Sequence, residues 1–485
     1  MKKNIKWLLL VSLTIMAACN NDEDNNTPVE VPVTSGTADF SKFVSLGNSL
    51  TAGFSDNALF KKGQEGSYTN IIAAQFKLAG GGDFKIPYMN DNIGGLLFGG
   101  ATNPAFGPRL TFNGVGPVPV SGVPTTEVFN PAVVAAGPYN NVGVPGAKSF
   151  HLLSPTYGSA AGLATGTANP YYIRFAPNGT TSVLAYAMSQ TPTFFSLWIG
   201  NNDVLGYATT GGDGTNPITP ISGAAGVGFD GTYTALVNTL TSAGAKGVVA
   251  NIPYVNTIPF FTTVGFNPVP LAAAQVTALN SAYAGYNGGL LAAKNAGLIT
   301  EAERLQRTIN FVAGKNAVVI IDEYLTDITA VSPALIKLRQ TTAMDYVVLS
   351  SQGVPAQVHL AAGNGTQFPL QDRWVLSKNE VAELKTATDG YNTIIKGIAD
   401  AKGLAFVDAN ALLTQVANGG VRYGNFHLTS SFAVGGAFSL DGVHPSPRGY
   451  ALIANKFIDA INTKYGSTLR NVDLGIYPIQ YPATL

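Results

Sequence analysis

Short apolar runs separated by helix-length amphipathic stretches constrain this chain most. Phe43–Gly47, Phe194–Ile199, Gly247–Ile252, Val318–Ile321 and Leu404–Val407 read as buried strands, several closing on Gly or Asp. Between and after them, Ser67–Leu78, Leu271–Ala293, Lys378–Ala401 and Arg448–Lys464 carry helical patterns. In Ser67–Leu78, for example, Ile71, Ile72, Ala74, Gln75 and Leu78 share one largely apolar face. Strands alternating with helices predict an α/β fold with a mainly parallel sheet. Such sheets place their functional site at the carboxyl ends of the strands. Three irregular stretches exceed a minimal α/β unit: 82–139, rich in Gly, Pro, Phe and Asn; 206–228, nearly all Gly, Thr, Pro and Ala; and about 350–375. Loops of that length are uncommon unless functional, so they read as elaborations around the mouth of a site.

Composition narrows the function. Hydrophobic residues make up 46 % of the 485, which excludes a disordered chain. The formal net charge is +0 and no basic run appears, which argues against a nucleic-acid partner. Cys19 is the sole cysteine, so no intrachain disulfide can form. His151, His359, His427 and His444 are scattered, which excludes a Cys/His metal cluster.

The first 19 residues read as an address. Lys2, Lys3 and Lys6 precede an apolar run, Trp7–Met16, too short to span a bilayer. Ala17 and Ala18 then lead into Cys19. This resembles a bacterial lipobox, with Met16 in place of the usual Leu, and implies lipidation at Cys19. Residues 20–39 are polar and acidic and read as a flexible tether. Acidic residues after the lipidated Cys resemble the surface-export signal of Bacteroidetes lipoproteins. The expectation is an exported protein, lipid-anchored to the outer membrane and exposed at the cell surface, touching the membrane through its N-terminus alone.

Four polar blocks carry the chemistry. Gly47-Asn48-Ser49-Leu50 follows the first apolar run, where a serine can present its hydroxyl at a sheet edge. No Gly-x-Ser-x-Gly elbow is present, which argues against the α/β-hydrolase family. Asp441-Gly442-Val443-His444-Pro445 can supply a base and the carboxylate that orients it. Gly200-Asn201-Asn202-Asp203 follows another apolar run and offers an amide donor for an oxyanion. Asn141-Val142-Gly143-Val144-Pro145-Gly146 can bring a backbone N–H close to a reacting carbonyl. It half-resembles a phosphate loop, but Ala147 stands where that loop requires Gly. Each block has a plainer alternative, as a turn, an Asx turn or a helix cap.

Taken in order, the four blocks resemble those of the SGNH hydrolases, the GDSL-like esterase/lipase superfamily, over about residues 40–465. The resemblance implies a three-layer α/β/α sandwich with a flavodoxin-like sheet, spanning 40–485 as one domain. It implies Ser49 as nucleophile, His444 as base and Asp441 as its support. Ser49 N–H, Gly146 N–H and the Asn202 amide would form the oxyanion hole. Neither cofactor nor metal is implied. The family's first block usually has Asp where this chain has Asn48, which bears on activity level more than on reaction type. The expected activity is hydrolysis of carboxylic esters, of acyl lipids or acetylated glycans, through an acyl-enzyme. The alternative is a weak or inactive surface lipoprotein that binds glycan or lipid on the same scaffold. Leu96, Leu97, Phe98 and Phe106 hint at a greasy lid. His427 and His359 read as surface or capping residues, and His151 as a packing or capping one.

Overall fold

The computed structural model describes residues 32–349 and 363–485. Cys19 and residues 20–31 of the expected tether lie outside them, as do His359 and residues 350–362. Among the described residues, no helix is long and apolar enough to cross a membrane.

Five parallel strands form the central sheet: β1 (Phe43–Gly47), β2 (Asn141–Gly143), β3 (Phe194–Trp198), β4 (Lys246–Ala250) and β5 (Ala405–Val407). Their spatial order is β5-β4-β3-β1-β2, and each neighbouring pair is parallel. This is the doubly wound order 2-1-3-4-5, whose switch point lies between β1 and β3. All five residues of β1 and of β3 are buried, which is why they read as continuous apolar runs rather than alternating ones.

Helices cover both faces: α1 (Ser49–Ala52), α2 (Tyr68–Leu78), α3 (Asn201–Thr209), α4 (Phe229–Thr241), α6 (Lys378–Lys402), α7 (Ala409–Ala417) and α8 (Pro447–Tyr465), while α5 (Ala273–Asn295) packs into a separate hydrophobic cluster. Alternate side chains of β3 set the layers. Phe194 meets Phe76 of α2 and Tyr465 of α8, while Trp198 meets Tyr68 of α2 and Phe457 of α8. Against the other face, α6 packs on α3, α4, β4 and β5. The helix starts are chemically marked. Ser67, Ser377 and Ser446 cap α2, α6 and α8, and Pro447 occupies the first turn of α8, where its missing N–H costs nothing.

Three expectations need correction. Val318–Ile321 is no strand of the central sheet: Val319–Ile321 pairs antiparallel with Leu338–Gln340. It belongs to a second hydrophobic cluster, drawn from α5 and from residues within 309–347 and 370–375, including Phe311, Val347 and Leu370. The fifth central strand is β2, inside a block read from the sequence as an oxyanion-donor loop or a turn and not as a strand. Finally, Thr34–Asp39, read as the end of a tether, is bonded to the folded unit. Thr37 N–H donates to Tyr465 O at 2.8 Å, and Ala38 is buried.

Residues 82–139 are irregular as expected, crossed by two small ribbons, Leu97–Phe98 with Ala101–Thr102 and Leu110–Phe112 with Pro117–Pro119. Within 206–228, the first residues continue α3 and the rest form turns.

Candidate active site

Each chemical block sits at the carboxyl end of a strand or at a helix start. β1 ends at Gly47, and a Cβ there would lie 2.1 Å from Thr51 Oγ1, so only glycine lets α1 turn back over the strand. Asn48 caps α1: its Oδ1 accepts the Leu50 N–H at 3.0 Å, and its Nδ2 donates to Asn201 Oδ1 at 3.1 Å. Asn48 therefore joins the first block to the third. Ser49 follows as the first residue of α1 and is 8 % exposed.

The loop entering α8 brings His444 onto Ser49. His444 Nε2 lies 2.9 Å from Ser49 Oγ, and His444 Nδ1 lies 2.8 Å from Asp441 Oδ2. The imidazole is tilted against Phe54, with ring centroids 4.6 Å apart. Asp441 lies behind the imidazole, with its side chain 3 % exposed. Its Oδ1 accepts the N–H groups of Val443 and His444, both at 2.8 Å, and the Ser439 hydroxyl at 3.0 Å. Burial alone would raise its pKa. The charge of His444, its ring hydrogen bond and the two backbone donors outweigh burial and hold Asp441 down at about 2.

Two of the candidate oxyanion donors are tied together. Gly146 adopts a φ of +82°, a left-handed conformation that suits glycine. Asn202 Nδ2 donates to Ala147 O at 2.9 Å, tying the amide to the turn that carries Gly146. Among the described residues no acceptor takes the Ser49 or the Gly146 N–H. Ser49, Asn202 and His444 all line one cleft with about 100 Å³ of enclosed space, partly open to solvent. Gly146 and Asp441 stand outside its wall, Asp441 supporting from behind. Asp203, the last residue of the third block, points elsewhere: it accepts the Ser149 N–H and hydroxyl at 2.8 and 2.6 Å, and burial pushes its pKa up.

A bracing turn was not foreseen. Asp56 and Asn57 have φ of 50° and 64°, and Ser55 and Ala58 exchange both backbone hydrogen bonds around them. This tight turn aims the Asn57 N–H at Asp441 Oδ2, 3.0 Å away, and Asp56 Oδ1 at the Leu440 N–H, 2.9 Å away. The Ser-Asp-Asn-Ala spelling is itself the signal, because Asp and Asn tolerate left-handed backbone. Asp56 is 1 % exposed. Burial pushes its carboxyl up to about 7, with Asp441 adding to the rise against the Leu440 N–H and Arg109.

The remaining candidates lie off the cleft wall. His427 sits in a hairpin, its Nε2 2.7 Å from Gly419 O. His151 Nδ1 accepts the Lys148 N–H at 3.0 Å and its ring stacks on Tyr157. Burial, with Lys148 adding to it, lowers His151 to about 4. Leu96 is fully buried, and Leu96, Leu97, Phe98 and Phe106 are not among the cleft's walls. Phe106 instead begins a run of ring contacts through Tyr171 and Phe54 to His444. Glu323, Asp372 and Glu380 each hold an oxygen within 4.8 Å of the others, a spacing that could suit a metal ion, and none of them belongs to the Ser49 relay.

Fold and site together define an α/β protein with an Asp–His–Ser hydrogen-bonded relay at the carboxyl edge of a parallel sheet. No family profile matches the sequence, and no curated protein matches it. Two solved structures are similar in outline. One is LAE5, an alpha/beta hydrolase enzyme from the metagenome of Lake Arreo, Spain, at 10 % identity and a TM-score of 0.32. The other is a mutant of Axe2, an acetyl-xylooligosaccharide esterase from Geobacillus Stearmophilus, at 12 % identity and 0.31. Each alignment covers 88 % of this chain and 96 % of the other. Likeness this slight carries no function across.

Proposed function

We propose that the protein is a serine hydrolase of carboxylic esters, of the SGNH (GDSL-like) type, working through an acyl-enzyme. The observation that carries this reading is the relay itself, Asp441 to His444 at 2.8 Å and His444 to Ser49 at 2.9 Å, opening on one cleft. His444 Nε2 takes the Ser49 Oγ proton as the oxygen attacks the ester carbonyl carbon. Asp441, held ionised, fixes the Nδ1–H tautomer and stabilises the imidazolium without taking the proton. The carbonyl oxygen, now an oxyanion, is met by the Ser49 and Gly146 N–H groups and the Asn202 amide. As the tetrahedral adduct collapses, the ester C–O bond breaks and His444 gives the proton to the leaving alcohol. Water, deprotonated by His444, then attacks the acyl-enzyme and releases the acid and Ser49.

The sequence of the first 19 residues supports a place for this activity: lipidation at Cys19, with the hydrolase held at the outer membrane, facing out. Globomycin-sensitive processing of the full chain tests that assignment.

The test of the chemistry is hydrolysis of p-nitrophenyl acetate by residues 27–485 beside Ser49→Ala, with fluorophosphonate labelling of both. Turnover and labelling lost together in Ser49→Ala are expected. A folded wild-type chain that neither turns over esters nor labels at Ser49 overturns the reading in favour of a binding lipoprotein.

A further inference from the structure

The cleft beside Ser49 is apolar well beyond the needs of the reacting ester. On α7 it is lined by Leu412, Leu413 and Val416, and on α8 by Leu452 and Ile453, spacings that put each set on one face of its helix. Leu205 of α3 adds to the wall. Leu412, Leu413, Ile453 and Leu205 are only half-buried. Large side chains on a helix that follows a buried strand are ordinarily covered by a neighbouring element, and here, among the described residues, their remaining surface borders the cleft instead.

Polar groups are confined to the reacting end. Among the described residues, the lining includes Asn48, Ser49, Asn201, Asn202 and His444, and no Asp, Glu, Lys or Arg. The indole of Trp198 turns its one donor away, to Asn251 O at 3.1 Å. A sugar ring placed along this wall would leave its hydroxyls without partners, at a desolvation cost for each.

Resting on the ester-hydrolase reading above, we infer that this cleft binds an unbranched aliphatic chain of the substrate, so that the enzyme acts on fatty esters. The chain runs from the carbon skeleton at Ser49 along the faces of α7 and α8. Each methylene it buries is worth about 0.8 kcal/mol, or roughly fourfold in kcat/KM, until the wall ends.

Two substrate series test this and separate the acid side of the ester from the alcohol side. The first is p-nitrophenyl esters from acetate to laurate, and the second is acetate esters of alcohols from ethanol to dodecanol. A rise in kcat/KM of at least about 100-fold from two to eight carbons is expected in one series, and that series names the side of the ester. In Leu412→Glu and in Leu413→Glu, the ratio of eight-carbon to two-carbon kcat/KM should fall at least tenfold. A flat profile in both series, with acetate turned over through Ser49, overturns the fatty-chain inference and leaves the hydrolase reading standing. If Ser49 proves unreactive, binding of a fluorescent fatty-acid probe to the wild-type chain, displaced by decanoate and weakened in Leu412→Glu, tests the cleft alone. Absence of such binding overturns the inference in that case.

Discussion

Two buried carboxylates brace the loop that carries His444 and are driven in opposite directions. Asp441 is held at about 2, while burial pushes Asp56 up to about 7. Ser439 links them, accepting the Asp56 N–H and donating to Asp441 Oδ1, both at 3.0 Å. Below about pH 7 the pair thus carries its charge chiefly on Asp441, the carboxylate that meets the His444 ring. The sign of the stability effect follows. A carboxyl with a raised folded pKa binds its proton more tightly when folded, so stability falls as pH rises from about 4 to about 7. Asp56→Asn keeps an acceptor for the Leu440 N–H and removes that slope. The variant should gain on the wild type as pH rises, by an amount on the order of 3 kcal/mol at pH 8. Urea unfolding at pH 4.5 and pH 8 measures it, and parallel curves for the two proteins would sink the idea. Asn202→Ala addresses the oxyanion instead. Loss of one such donor costs on the order of 10²–10³ in kcat, with KM little altered; wild-type turnover would remove Asn202 from the site.

The site is assembled from short elements that need each other. α1 is four residues long and could not persist alone. It is fixed by the Asn48 cap, by Gly47 and by the hydroxyl of Thr51, 3.1 Å from that of Tyr68 on α2. The turn at Ser55–Ala58 does the same for the loop from Ser439 to His444. Asn57→Val forces a β-branched side chain into left-handed backbone, which should cost about 1–2 kcal/mol. It also shifts the N–H that Asp441 Oδ2 accepts. Thermal unfolding and ester turnover should therefore fall together, and Asn57→Gly, at ease with that backbone, should restore both. Rescue of stability without rescue of turnover would show that the turn does not position Asp441. Long helices were easier to read than these pieces. Lys378–Ala401 and Arg448–Lys464 were expected, and Lys378–Lys402 and Pro447–Tyr465 are found, because apolar periodicity and serine caps mark them over many turns. β2 escaped because three residues carry no period, and its pairing with β1 is a tertiary fact.

At the scale of the molecule, a second cluster beside the central sheet is held by a charged core. Arg339 is fully buried and meets Asp322 at 2.5 Å and Asp345 at 2.7 and 2.8 Å, the latter through both guanidinium ends. Removing the arginine leaves two buried carboxylates facing each other, so Arg339→Ala should cost about 3–5 kcal/mol. Chemical denaturation measures the loss, and a change under 1 kcal/mol would mean that this part of the chain relaxes around the gap. Nothing in the sequence announced this cluster. Val318–Ile321 has the apolar run of a central strand, and apolarity alone does not say which sheet a strand joins. By itself, the sequence determined the α/β class and the four polar blocks with their residues, because these depend on local period and on side-chain chemistry. Tertiary structure decided which groups meet. It set His444 against Ser49 across 395 positions, put Asp56 beside Asp441, and gathered α7 and α8 into an apolar wall. Those contacts form only where distant segments close on one core, and such closure leaves no local mark on the chain.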